Sequence, residues 1–367
     1  MGVNVNNKKN NILLVSDTKA WGGWKRAQMI KKYLSDEFNF RIMDAEMYNN
    51  YERLTTKNAF STKDLKKYMD RGLHGNDKDF MDLKHFKQWV NSLKKNDEFD
   101  LIYFLFHTML IKKSVKRTLQ RKKKVITMVT VYPTIRPIFT NGGVVNKRGA
   151  INKFLEQANK CNAILANNQM SLNDLRSIYK GKTFVAPRGV NPDIFHPTSE
   201  EFVEKPHSEF TVAFCGKPNP EKGLDDIIKP ACREAGVKLI TNERNFTNAL
   251  GEGEMRDFYN SADVYIVAST MDGTPNTALE AAACGKPIIS NPIGNMPEFI
   301  KKGVNGMLLP DLKIRRYVNK LSWLKNNQKR AWEMGKEARK TILNDWTWLK
   351  VINNNERNIF RKVIDGM

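Results

Sequence analysis

The sequence has no apolar run approaching the ~18 residues of a membrane-spanning helix, and its N-terminus lacks a signal-peptide core. The chain is therefore expected to stay in the cytoplasm. Cysteine is scarce: Cys161, Cys215, Cys232 and Cys284 are widely spaced and match no zinc or redox pattern. They are expected to be reduced core residues. No internal repeat is visible. Residues 101–150 lack acidic side chains altogether while holding 11 Lys and Arg.

What is present is enough for two ordinary domains with substantial cores, since the chain has 367 residues, 41% of them hydrophobic and 27% charged. The net charge of +22 is unevenly placed: residues 1–200 hold 36 Lys and Arg against 18 Asp and Glu, and residues 201–367 hold 25 against 21. A lysine-rich, solvated surface would raise lysine in both halves. An excess confined to one half points to a polyanionic partner for that half.

Strand signals alternate with helical ones from the start, the pattern of parallel α/β units. Ile12 to Ser16 reads as a strand that ends in a loop with Gly22-Gly23, followed by an amphipathic helix from Trp24 to Leu34. Phe38 to Met43 is the second strand. Residues 45–80 are polar and irregular, with a helix over Lys63 to Met69. Asp82 to Leu93 reads as helix, Leu101 to Phe106 as buried strand, Ile111 to Leu119 as helix, Val125 to Val131 as strand and Ala150 to Ala158 as helix. Ala163 to Ala166, a helix from Ser171 to Tyr179, and Thr183 to Ala186 complete the first half. Residues 188–208, with three prolines and a cluster of charges, read as an interdomain linker. The second half runs Phe210 to Cys215, helix Leu224 to Ala235, Val237 to Thr241, helix Met255 to Asn260, and Val264 to Ala268. A further helix begins near 275, then Pro287 to Ser290, Gly306 to Leu309 and more helices. The expected fold is α/β, two Rossmann-like doubly wound domains facing across a cleft, with ligands at the carboxyl ends of the sheets.

Residues 272–287, DGTPNTALEAAACGKP, are the most informative stretch. Asp272 and Glu280 stand eight positions apart with a helix start between them. Thr274 can cap, Pro275 suits the first helical position, and Asn276 and Thr277 leave short polar side chains in the first turn. Free N–H groups and the positive helix end there favour a phosphate. Asp272 lies before the helix and Glu280 about a turn and a half into it. One carboxylate can take hydroxyls on one side of a bound diphosphate and the other on the far side, the layout of a sugar–diphosphate–ribose. A capped helix with a buried alanine face explains the alanines but not the carboxylate spacing.

At this stretch the chain resembles the retaining GT-B glycosyltransferases of glycosyltransferase family 4, whose E-x7-E signature here reads Asp272-x7-Glu280 with LEAAACGKP intact. Three further segments match in order. Phe214 to Gly223 resembles the family's VGR-x-x-x-EKG, Pro187 to Pro197 its NGVD-x-x-x-F-x-P linker, and Asp345-Trp346-Thr347-Trp348 its C-terminal tryptophan segment. The resemblance implies a domain division into an acceptor-binding domain over 1–190, a donor domain over 191–345, and a C-terminal helix over 346–367 packing back on the first domain.

It also implies residue roles. Lys217 and Lys222, on a loop after a strand, would neutralise a diphosphate leaving group, with Gly216 and Gly223 allowing close backbone approach. The first cation is a lysine where the family has an arginine. Glu280 would hold the ribose hydroxyls, and Asp272, with Gly273 beside it, would contact the transferred sugar. Asp272 is shorter than the family's glutamate, which moves its oxygens back by about one methylene. Gly22 and Gly23 correspond to the family's glycine loop over the donor phosphates, and Lys25 and Arg26 just beyond could reach phosphate or acceptor. The family often has a histidine near the end of the strand that is Val125 to Val131 here. Thr130, Val131 and Tyr132 stand there instead, and His107 is the nearest replacement, although a lone histidine is more often structural. The family's glycine-rich G-D-G-P turn is missing between Asn242 and Glu254, where it helps shape the base pocket. The expected co-substrate is a nucleotide sugar, UDP-linked, with no bound cofactor and no metal.

Asp77-Lys78-Asp79 spells the D-x-D of unrelated metal-dependent transferases but lies in a polar stretch with no supporting strand, and is set aside. Residues 111–124 read as a helix with Ile111, Val115 and Leu119 in one stripe and Lys112, Lys113, Lys116, Arg117, Arg121, Lys122, Lys123 and Lys124 outside it. No exposed aromatic or leucine-rich face suits this helix to membrane insertion. A solvated face is the plainer reading. The function expected from residues and resemblance together is transfer of a sugar to a hydroxyl of a polyanionic acceptor, with DNA carrying a hydroxylated base preferred over an anionic membrane surface bearing a lipid or polysaccharide. A non-catalytic nucleic-acid-binding protein on a transferase fold is the alternative from another class.

Overall fold

The computed structural model describes residues 9–16, 22–45, 48, 99–120, 124–129, 139–140, 143–144, 147–199, 201, 209–217, 219–243 and 250–366. In chain order the first part contains β1 (Asn11–Ser16), α1 (Gly22–Leu34), β2 (Asn39–Asp44), β3 (Leu101–Phe104), α2 (Lys113–Gln120) and β4 (Val125–Val129). A two-residue antiparallel pair, β5 (Phe139–Thr140) and β6 (Gly143–Val144), follows, then α3 (Lys147–Ala158), β7 (Ala163–Ala166), α4 (Gln169–Ile178) and β8 (Thr183–Val185). The first sheet has the order β2-β1-β3-β4-β7-β8, with β1 parallel to both neighbours.

The second part contains β9 (Thr211–Gly216), α5 (Lys229–Ala235), β10 (Lys238–Glu243), α6 (Glu252–Asn260), β11 (Val264–Val267), α7 (Asn276–Ala283), β12 (Ile288–Ser290), α8 (Met296–Phe299) and β13 (Gly306–Leu308). Helices α9 (Ile314–Asn326), α10 (Gln328–Thr341), α11 (Trp348–Asn354) and α12 (Glu356–Ile364) end the chain. The second sheet is parallel throughout, in the order β10-β9-β11-β12-β13.

Both faces of this second sheet are covered, which is why its strands read as unbroken apolar runs. Side chains alternate across the sheet: Val212, Phe214, Val264 and Ile266 join one core with α5 and α9. Ala213, Cys215, Tyr265 and Val267 join the other with α6 and α7. The alanines of α7 let it lie close, and Gly335 on α10 is needed because a Cβ there would sit 1.9 Å from the Gly285 carbonyl. All four cysteines are free and buried. Burial pushes the Cys161, Cys232 and Cys284 thiols up to about 12, so they are inert packing residues.

The chain divides into two compact units, 1–128 with 149–164 and 359–367, and 129–148 with 165–358. Within the first, Phe360 of α12 packs edge-on against Phe38 and Tyr103, each at 5.9 Å between ring centroids.

Several sequence expectations are corrected. Gly22 and Gly23 form the first turn of α1 rather than a loop before it. Residues 107–111 form a 3-10 turn, Lys112 is extended, and the α-helix starts at Lys113. The apolar stripe therefore begins with Val115 and Leu119, both buried. Lys124 is not helical but leads into β4, with its Nζ donating to the Ile364 carbonyl. The basic stretch is thus three local structures rather than one helix. The helices expected over Lys63 to Met69 and Asp82 to Leu93, together with Asp77, Asp79, Arg121, Lys122, Lys123, Thr130, Val131 and Tyr132, lie outside the described residues. No helix among the described residues is long and apolar enough to cross a membrane.

Candidate active site

In the second sheet, β9 comes first in sequence but lies between β10 and β11. The chain changes winding direction there, and the crevice beyond the carboxyl ends of β9 and β11 is where such a sheet binds ligands. The two loops leaving those ends carry the predicted donor residues.

After β9, residues 220–222 make one 3-10 turn closed by Gly223, whose φ is +65°. A side chain is excluded there twice over, because that φ is left-handed and a Cβ would lie 2.3 Å from the Ala268 carbonyl at the end of β11. The Thr270 N–H donates to the Glu221 carbonyl at 2.8 Å, bracing the second loop on the first. Lys222 Nζ then meets Asp272 Oδ2 at 2.5 Å, with both side chains about one-fifth exposed (22% and 19%). Asp272 Oδ1 accepts the Thr274 N–H at 3.1 Å. The residues expected to serve diphosphate and sugar separately are bonded to each other. Lys217 is exposed just beyond β9, and Gly216 lies against the Phe214 ring and the Lys222 stem.

The start of α7 differs from the expectation. Thr274 is not its cap and Pro275 is not its first helical residue: Pro275 is the N-cap, with no side-chain cap bond, and the helix begins at Asn276. The Thr274 hydroxyl is engaged elsewhere, accepting from Asn167 Nδ2 at 3.0 Å, while Asn168 Nδ2 donates to the Gly273 carbonyl at 2.5 Å. The Asn276 N–H turns back to the Thr274 carbonyl at 2.8 Å and the Ala278 N–H to Pro275 at 3.0 Å. Fewer N–H groups are therefore left for an anion than a conventionally capped helix would offer.

One turn into α7, two buried phenols hold the polar face. Tyr259 donates to Glu280 Oε2 at 2.7 Å. Tyr265 donates to Thr277 Oγ1 at 2.7 Å and accepts the Cys215 N–H at 3.1 Å. Burial, then the neighbouring Glu280, pushes the Tyr259 phenol well above its ordinary range; burial does the same for Tyr265.

Residues 229–341 match the family described as glycosyl transferases group 1. That span contains the Asp272–Glu280 pair. This stretch of the chain is similar to the group 1 glycosyl transferases. It is 23% identical over 178 residues to the D-inositol 3-phosphate glycosyltransferase of Mycolicibacterium smegmatis, covering 40% of this chain and 41% of that protein. It is 26% identical over 140 residues to an uncharacterized glycosyltransferase of Methanocaldococcus jannaschii, covering 38% and 30%. The chain thus spans less than half the length of these curated relatives. Among solved structures, the sucrose-phosphate synthase of Thermosynechococcus elongatus has a TM-score of 0.68 at 13% identity, covering 98% of this chain and 100% of that one. Anabaena HepE in complex with UDP has a TM-score of 0.64 at 15% identity, covering 96% and 100%. The fold is GT-B, as the resemblance implied.

Lys217 and Lys222 precede the matched span, so the lysine loop rests on its own geometry. Asn167, Asn168, Tyr259 and Tyr265 were missed by the sequence reading. The Asn pair does carry a signal, since Asn168 caps α4 through its bond from the Ser171 N–H at 2.7 Å. The tyrosines carry none beyond being aromatic residues in apolar stretches. His107, in the first unit, is 7% exposed and packs beside Phe106 and Phe154. Burial lowers its pKa to about 4, leaving a neutral, weakly basic ring that suits a packing residue. Arg26 is 3% exposed on the packed face of α1, rather than reaching outward, and Lys25 is half-buried. Lys112 and Lys116 are exposed and Arg117 is half-buried. Among the described residues, no group of three or more His, Cys, Asp or Glu could hold a metal ion.

Proposed function

We propose that this chain is a retaining glycosyltransferase that moves a sugar from a UDP-linked donor to a hydroxyl of a polyanionic acceptor. The observation that carries the reading is the Lys222–Asp272 pair at the β9/β11 crevice, followed along α7 by the anchored Glu280. Glu280 takes the ribose hydroxyls, Lys222 and Lys217 the diphosphate, and Asp272 a hydroxyl of the transferred sugar. Gly216, Gly273, Thr274, Pro275, Asn276 and Thr277 complete the donor residues of the second unit. Residues 1–190 serve the acceptor and 191–345 the donor.

The sugar–phosphate bond breaks as the acceptor oxygen bonds the same carbon on the same face, with retention. The acceptor proton passes to the departing β-phosphate, whose charge the lysines stabilise. Charge stabilisation by groups already in place is typically the largest catalytic contribution. UDP is the nucleotide of the solved HepE complex and the first to assay.

For the acceptor, the positive excess of residues 1–200 favours a polyanion, and DNA with a hydroxylated base comes first. The name of the mycolicibacterial relative supports an anionic acceptor in general terms. One observation favours a second reading, an anionic membrane surface: α9 exposes Trp323 at 41% along with Arg315. Incubation of the protein and labelled UDP-sugars with hydroxylated-base DNA, or with anionic vesicles, separates the two. Label in DNA supports the first reading, label in lipid replaces it with the second, and binding of DNA without any donor turnover favours the non-catalytic alternative.

A further inference from the structure

We infer that Tyr259 is a positioning residue for nucleotide recognition: its buried hydroxyl fixes the Glu280 carboxylate in the orientation that tells ribose from 2′-deoxyribose. This rests on the proposed ribose role of Glu280.

Glutamate is a long side chain, and holding it still for a ligand costs rotamer freedom at the moment of binding. Here that cost is met in advance. Tyr259 is fully buried on α6, its ring 5.8 Å from that of Tyr265 and 6.0 Å from that of Phe195. A phenol so enclosed has one direction in which to donate, and Glu280 Oε2 lies there at 2.7 Å. A carboxylate accepts at both oxygens. With one oxygen fixed by the phenol, the plane of the group is set, and vicinal ribose hydroxyls meet it in one orientation. The phenol cannot reverse roles, because burial and Glu280 itself keep it protonated.

Tyr265 provides an internal comparison. It is buried in the same core and donates at 2.7 Å to Thr277, three residues before Glu280 and on the same helix face. Removing its hydroxyl takes partners from Thr277 and the Cys215 backbone in the same core, while Glu280 keeps its bond from Tyr259.

The test measures the affinities of the full chain for UDP and for 2′-deoxy-UDP by calorimetry. Wild type should prefer UDP by about tenfold or more, the worth of a hydrogen bond to a charged group. Glu280→Ala should abolish that preference. Tyr259→Phe should lower UDP affinity, leave 2′-deoxy-UDP affinity near wild type, and bring the ratio toward one, while Tyr265→Phe should keep the wild-type ratio. If Tyr259→Phe does not fold, Tyr259→Met, which keeps apolar volume without the hydroxyl, carries the same expectation. An absent wild-type preference, or one that survives Glu280→Ala, overturns the ribose role of Glu280 itself. A preference that depends on Glu280 but persists in Tyr259→Phe overturns the positioning role alone. Equal loss in Tyr259→Phe and Tyr265→Phe also overturns it, in favour of general loosening of the core.

Discussion

The two sheets share one winding: β2-β1-β3-β4 and β10-β9-β11-β12 place the first strand in sequence between the second and third. Yet at the carboxyl ends of corresponding strands they carry different chemistry. Beyond β9 and β11 stand a lysine and an aspartate in direct contact. Beyond β3 stands His107, buried and neutral. The same scaffold sets a charged pair at one crevice and, among the described residues, packs a neutral histidine near the other. Loops, and not topology, decide which sheet end becomes a site.

The sharpest way to break this contrast is to remove the charges of the second sheet. Glu280→Ala and Lys222→Ala should each lower transfer by roughly two to three decades, the ~2–4 kcal/mol that a charge-assisted hydrogen bond contributes in an enclosed site. Steady-state kinetics with circular dichroism checks this, and near-normal turnover in either folded variant would remove the assignment.

The buried histidine of the first unit also predicts an acid limb of stability. His107 has a folded pKa of about 4 against an ordinary 6.5. Below 6.5 the unfolded chain binds a proton that the folded chain refuses, so stability is full above that value and declines as pH falls toward 4, by at most ~3 kcal/mol. Urea unfolding across this window should show the decline, and His107→Phe should flatten it without altering the pH profile of turnover.

Gly223→Ala tests the brace beneath the second crevice. A methyl group against the Ala268 carbonyl at a φ of +65° should destabilise by more than ~1 kcal/mol in thermal unfolding. A neutral result would mean that the loop relaxes freely.

Lys112→Glu with Lys116→Glu tests the charge of the first unit. Polyanion binding by the wild type should show a log–log salt slope of about −4 or steeper, and the double variant a slope shallower by about 2. Donor hydrolysis should be unchanged. The smallest expected effect is that of EDTA: the lysines supply the positive charge for the leaving diphosphate, so activity should persist in chelator. Loss of activity with recovery in Mn²⁺ would show that a metal does this work.

Much of the second unit was legible because its strands are short, doubly covered apolar runs and its signature loop joins polar residues of fixed spacing. The start of α7 differs from the sequence expectation for a long-range reason: Thr274 has the chemistry of a cap, but Asn167, 107 positions earlier, takes its hydroxyl. A sequence window cannot see that partner. Tyr259 was invisible for the same reason, since a buried phenol and a core phenylalanine follow one periodicity. In the first unit, Ile111 fits the spacing of Val115 and Leu119, and spacing alone cannot reveal that Lys112 interrupts the helix.

The close fit of Gly223 under Ala268 and the Thr270–Glu221 backbone bond tie two loops from different strands into one piece. Lys222 and Asp272 therefore share a common footing, and their 2.5 Å contact is held from two strand ends at once. A displacement of either strand end then carries both charged groups with it, so the pair keeps its geometry as a unit.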